Sequence, residues 1–219
     1  MRNYRSLLVL LIVGLYIPSA PISAAPGLQS TQVAAVASYR MEVQLDAEAK
    51  TVRGTERITY VNRSEDTLNE LYLRLYLRAF RDLNTTWMQE SGGESRGFAI
   101  KPDELGDMTV ERLALADGTD LLATSTLSDT LLRVLLPHPL AAGQQIELDA
   151  SWVSKLPRAF ARTGYGGKND TFFMVGQWYP KMAVYDRGRW DTEPWHANAE
   201  FFHDFGSYDV TIDVPAGYL

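Results

Sequence analysis

The 219-residue sequence is 46% hydrophobic and 22% charged, the make-up of an ordinary globular chain, which excludes a disordered tail, a collagen and a multi-span membrane protein. Its formal charge of −6 includes the leader cations Arg2 and Arg5, so the mature chain is more acidic still and a poor partner for nucleic acid or anionic lipid. It has no cysteine, which excludes disulfide staples, a thiol nucleophile and an acylated-Cys anchor.

Arg2 and Arg5 precede an apolar run from Leu7 to Ile17, closed by Pro18 and Pro21, and Ile22-Ser23-Ala24 supplies a small residue at a cut site. This reads as a secretory signal peptide over residues 1–24. The apolar run falls short of the ~20 residues a membrane-spanning helix needs, so no stable span is expected. Residues 25–37 read as a linker and 38–219 as one β domain. The mature chain has roughly 190 residues, enough to bury about 70% of the surface its unfolded form exposes.

From Tyr39 the period is two. Tyr39, Met41, Val43 and Leu45 alternate with Arg40, Glu42, Gln44 and Asp46, the pattern of a half-buried strand. Thr51–Asn62 predicts its hairpin partner, with Val52, Ile58 and Tyr60 on one face and Gly54 marking a bulge or a close approach. Leu71, Leu73, Leu75 and Leu77 predict a third strand. Arg81–Asp107 has no sustained period and reads as a long loop with room for one helical turn. Asp117-Gly118 signals a hairpin between strands at Thr109–Leu115 and Asp120–Ala123. Thr130–Leu136 predicts a strand ended by Pro137-His138-Pro139, and Ile146, Leu148, Ala150 and Trp152 line the inner face of the next.

The segment from Arg158 to Gly206 is crowded with aromatic residues and glycines, with short strands expected at Thr171–Val175 and Met182–Tyr185. Tyr208, Val210, Ile212 and Val214 predict a last strand, the first arm of a hairpin whose second arm is missing, so the domain is expected to be incomplete at its C-terminal end. No amphipathic helix is evident. The expected fold class is all-β, with two packed, mainly antiparallel sheets in a saddle-like sandwich.

His196, Glu200 and His203 are the one cluster of metal-ligating types. On a strand His196 and Glu200 share a face and His203 does not; a helix would bring all three together, but Asn198, Phe201 and Phe202 between them give no clear helical stripe. The reading favoured is polar groups beside an aromatic core, with no metal site in this chain. There is no His-Glu-x-x-His, no Gly-x-Ser-x-Gly and no phosphate loop, so no catalytic residue is assigned. The aromatic segment reads either as core or as a platform for sugar or peptide.

The run Val175-Gly176-Gln177-Trp178-Tyr179-Pro180-Lys181-Met182-Ala183-Val184-Tyr185-Asp186 resembles the end of the N-terminal β domain of bacterial aminopeptidase N-like zinc metallopeptidases (gluzincins). Trp195-His196-Ala197-Asn198, the stretch from Glu200 to Pro215, Tyr39–Asp46 and Leu135–Gly143 match the same family in order. The resemblance implies a noncatalytic domain that packs on a zinc catalytic domain, with zinc bound by motifs outside these residues, and walls the cleft for a peptide substrate. Family members carry Thr-Gln-x-Glu/Gln here, followed by Phe-Pro-Cys. Aligning Gln177 with the first Gln puts Tyr179 at the substrate-contact position; aligning Tyr179-Pro180 with Phe-Pro puts Lys181 in place of the Cys. Gln177 and Tyr179 are therefore the candidate substrate-binding residues, and Trp178 and Trp195 the candidate domain-interface residues. The expected location is periplasmic or extracellular. The other reading is a free-standing secreted β module that binds peptide or carbohydrate through its aromatic surface.

Overall fold

The computed structural model describes residues 35–218, so the leader and residues 25–34 of the linker lie outside the described residues. The fold is all-β, built mainly from two antiparallel sheets. In the first hairpin β1 (Ala37–Asp46) pairs with β2 (Thr51–Val61), turning through residues 47–50, where Asp46 Oδ1 accepts the Glu48 and Ala49 N–H groups at 3.0 and 2.8 Å. β3 (Leu68–Arg74) follows, then a six-residue helix α1 (Thr86–Ser91) and the small hairpin β4 (Glu94–Ser95) and β5 (Phe98–Ala99). β6 (Asp107–Leu115), β7 (Thr126–Ser128), β8 (Leu131–Leu140) and β9 (Gln145–Lys155) complete the regular part. The aromatic segment adds only short strands: β10 (Gly164–Gly166), β11 (Phe172–Met174), β12 (Lys181–Met182), β13 (Tyr185–Asp186) and β14 (Arg189–Trp190). β15 (Gly206–Asp213) is the last strand.

One sheet has the order β15-β1-β2-β9-β6 and the other β12-β3-β8-β7. Their buried faces share one core, with Met41, Ile58, Leu148 and Trp152 from the first and Leu71, Leu73 and Val134 from the second. Gly54 is a close approach rather than a bulge: a Cβ there would come within 2.4 Å of the Trp152 ring, which is fully buried. Only glycine lets β2 and the indole lie this close.

The structure departs from the sequence pattern in four places. The leucine alternation predicts a strand through Leu77, but β3 stops at Arg74 and Tyr76–Phe80 form a 3-10 turn with all five residues buried. Arg78 drives that bend, since its guanidinium reaches the Asp129 and Met108 carbonyls at 3.1 and 3.3 Å. The arm expected at Asp120–Ala123 is a single bridge from Asp120 to Ala114 followed by a 3-10 turn, because Asp120 Oδ1 accepts the Leu122 N–H at 2.8 Å and bends the chain away. The prolines do not end β8. Its register against β3 jumps from Leu135 to Leu140, and Pro137-His138-Pro139 sit on the resulting exposed bulge, where no ladder N–H is needed. The expected strand at Met182–Tyr185 is divided between β12, which joins β3, and β13, which pairs with β14.

β15 is the edge strand of the larger sheet, paired among the described residues with β1 alone. It lies parallel to β1 over eight residues, with Tyr208 opposite Tyr39, Val210 opposite Met41 and Ile212 opposite Val43. Those β1 residues are buried, so the apolar side of β15 points to the core side of the sheet. Tyr208, Val210, Ile212 and Val214 nevertheless remain 47%, 37%, 56% and 42% exposed.

Candidate functional site

The segment from Arg158 to Phe205 carries most of the irregular backbone. Ala161, Arg162, Asn169, Asp170, Gln177 and Arg187 hold positive φ without being glycine. Such residues cost on the order of 1–2 kcal/mol each and persist only where packing fixes them. Here the fixing is aromatic. Trp195 packs against Phe201, Tyr76, Phe80 and Trp87 with ring centres 4.7 to 5.7 Å apart. Phe160 joins the same group through Phe80 and Trp87. A buried guanidinium ties the segment to the sheet as well: Arg74 on β3 donates to the Asp191 carbonyl at 3.0 Å and to the Glu193 carbonyl, and pairs with the Asp191 carboxylate at 2.6 Å.

Gln177 sits at φ 55 and is half-buried. The residue before it, Gly176, packs against the Arg162 carbonyl where a Cβ would approach to 2.9 Å, and its N–H donates to Thr163 Oγ1. The Gln177 amide oxygen is buried with no hydrogen-bond partner. It lines a small recess with Ala161, Arg162 and Trp195, and those three residues also line a larger cleft of about 550 Å3. The cleft is floored by Trp87 and Trp195 and rimmed by Glu90, Arg96, Arg162 and Asn198. Its lining is mixed in charge and includes two indoles.

The two candidate substrate residues differ in burial. Tyr179 is 8% exposed; its hydroxyl meets Tyr208 Oη at 3.1 Å and its ring stands edge-on to Tyr39 and Trp178. Burial, with Tyr208 beside it, pushes its phenol well above the usual range. Of the interface candidates, Trp178 is half-buried on Trp152, with its carbonyl accepting the Ser154 hydroxyl at 2.7 Å. Trp195, 7% exposed, is spent on the core, so little of it is left to meet a partner. Large exposed apolar side chains lie elsewhere, at Phe202, Phe205 and along β15, and also at Phe98 and Phe172.

The histidine cluster is drawn apart. His196 Nδ1 lies 2.7 Å from Glu90, Glu200 takes both its bonds from Arg162 at 2.9 and 3.0 Å, and His203 faces Lys181. The bonds from His196 and the Ala197 N–H hold the Glu90 carboxyl below its ordinary range. Among the described residues no three His, Asp or Glu side chains converge on a metal position, so these residues do not fit zinc.

Two groups escaped the sequence reading. Glu56 falls on the inner face of β2 and is 3% exposed, with neither carboxylate oxygen hydrogen-bonded; Lys181 is equally buried. The period-two pattern itself, Val52, Gly54, Glu56, Ile58, Tyr60, places Glu56 inward and is the signal that finds it.

No protein-family model matches the sequence, and no curated protein matches it. Among solved structures, the chain is similar to an M1 zinc metallopeptidase from Deinococcus radiodurans, at 14% identity over 60% of this chain and 24% of that one, with a TM-score of 0.37. It is also similar to a mutant two-domain M1 zinc metallopeptidase bound to L-arginine, at 13% identity over 83% of this chain and 33% of that one, with a TM-score of 0.42. The chain thus spans about a quarter to a third of the length of these structures.

Proposed function

We propose that this chain is the noncatalytic N-terminal domain of an exported zinc aminopeptidase-like metallopeptidase, which packs on a catalytic domain and helps wall its peptide cleft. The observation that carries the reading is the uncovered apolar face of β15. A strand patterned to bury one side leaves Tyr208, Val210, Ile212 and Val214 open, with Phe202 and Phe205 at 55% and 82% exposure nearby in sequence. An exposed apolar strand face of this kind marks a place where another body docks. The family resemblance of Val175–Asp186 names that body, and the half-buried Gln177 at its strained turn is the residue proposed to reach the substrate.

Zinc, on this reading, is held by the catalytic domain and supplies the activated water there. Purified residues 25–219 are expected to release no product from an aminoacyl reporter, with or without added zinc; chelator-sensitive turnover would overturn the noncatalytic role. Export to the periplasm or beyond follows from the leader, and protein from the natural host is expected to begin at Ala25. An in-frame gene continuation past codon 219 that encodes His-Glu-x-x-His is the outcome the reading predicts, and a stop codon there selects the free-standing module instead. The cleft rimmed by Glu90, Arg96, Arg162 and Asn198, of a size to take a small ligand, is what supports that second reading.

A further inference from the structure

A second groove, between the start of β3 and the β13–β14 hairpin, shares no lining residue with the cleft beside Trp195. It has a volume of about 570 Å3 and is lined by the rings of Tyr72, Tyr185 and Trp190, with Asn69, Glu70 and Arg189 among its polar residues. Strand alternation and one tight turn build it. Leu71 and Leu73 on β3 are buried, so Tyr72 between them points to the other face of the sheet. Tyr185 and Trp190 are cross-strand partners in β13 and β14, joined by Arg187-Gly188 at φ 51 and 76, the positive values a two-residue hairpin turn requires. Their rings stand 5.1 Å apart at 71°, and the Trp190 ring centre is 5.9 Å from those of Tyr72 and Tyr60. Trp190 is buried, whereas Tyr72 and Tyr185 are half-buried and keep part of their surface open to the groove.

Carboxylates fix both phenols. The Tyr185 hydroxyl donates to Asp66 Oδ2 at 2.9 Å and the Tyr72 hydroxyl to Glu70 Oε1 at 3.3 Å. Glu70 Oε2 in turn accepts from Arg133 Nε at 2.6 Å. The rings are thus set before a ligand arrives, which lowers the ordering cost of binding. Asn69 and Arg189 are exposed at the rim and supply an amide and a guanidinium. Asp66 and Glu70 are matched in number by Arg133 and Arg189, so no net charge selects an ion.

From this arrangement we infer that the groove is a binding site for a neutral saccharide. A sugar ring has an apolar C–H face and a fringe of hydroxyls. The electron-rich faces of Tyr72 and Tyr185 receive the first. The planar amide, carboxylate and guanidinium of Asn69, Glu70 and Arg189 bond the second, since each such group can engage two neighbouring hydroxyls. An extended peptide has less to hold. β3 is paired with β8 on one side, and on the other the Tyr72 carbonyl already accepts the Ala183 N–H at 2.8 Å, which leaves little strand edge for main-chain pairing. The groove needs no catalytic domain and takes the same ligand under either reading of the whole chain.

The test is a heteronuclear NMR titration of the full chain with cellohexaose, chitohexaose and maltohexaose, three neutral chains that differ in linkage and substituent. The Trp190 indole N–H signal, assigned by its loss in Trp190→Phe, is expected to shift with at least one of them, with a Kd of about 1 mM or tighter. The Trp87 and Trp195 signals are expected to stay. Tyr185→Ala should weaken binding about tenfold. Asn69→Ala and Arg189→Ala, both at exposed positions where folding is little affected, should each weaken it about fivefold. No shift with any of the three chains, a shift confined to Trp87 or Trp195, or unchanged affinity in N69A/R189A overturns the site. So does a polyproline peptide that occupies the same groove more tightly than every saccharide.

Discussion

The two halves of this domain keep their shape by different means. From Ala37 to Lys155 long strands pair over whole ladders, β2 with β9 across eleven residues, and alternation sends one side chain in two to the core. From Arg158 to Phe205 no strand exceeds three residues, and six non-glycine residues sit at positive φ. There the backbone is held from outside, by the aromatic group around Trp195 and by the Arg74 guanidinium. The lesson is that a surface can be irregular without being loose, provided rings and a buried charge fix it from behind.

The largest effects should separate the two halves. Trp152→Ala removes a fully buried indole between β2 and β9 and is expected to cost about 3–5 kcal/mol, lowering the stability of the whole domain in urea. Trp195→Ala should cost a similar ~3–5 kcal/mol, but hydrogen exchange is expected to rise first in Arg158–Phe205 while the β2–β9 ladder stays protected. Equal loss of protection in both halves would erase the distinction. Arg74→Met breaks the link between them, leaving the Asp191 and Glu193 carbonyls and the Asp191 carboxylate without their donor. A cost of about 3–5 kcal/mol is expected, read from the urea midpoint.

The regular half was legible in the sequence because a period of two has one cause. Tyr39–Leu45 and Ile146–Trp152 alternate as written, and the buried faces follow. It failed where a single polar group redirected the chain: Arg78 ended β3, and Asp120 bent away the expected hairpin arm. The partner of β15 was not legible, since parallel pairing with a strand some 170 residues earlier leaves no local mark. At the candidate site, Gln177, Trp178, Tyr179 and Trp195 were named by the family resemblance of their segments. The fold divides that group because the positive φ at Gln177 turns the chain, leaving Gln177 half-buried and Tyr179 and Trp195 in the core.

A smaller effect sharpens the comparison from the other side. Gln177→Gly removes a side chain from a left-handed backbone position and an unpartnered buried amide oxygen with it. It is expected to raise stability by up to about 1 kcal/mol in thermal or urea melts, the reverse of the usual cost of glycine. If Gln177→Gly destabilises instead, the turn is not strained and its side chain is a structural support.

The central claim, that β15 presents an apolar face meant for another body, is tested most directly by sedimentation velocity on residues 25–219 beside the V210K/I212K variant. Both substituted positions are exposed, so the variant should melt within about 0.5 kcal/mol of the wild type. The account predicts that the wild-type chain self-associates at micromolar concentration and that the variant sediments as a monomer. A wild-type chain that is a monodisperse monomer across that range would contradict it.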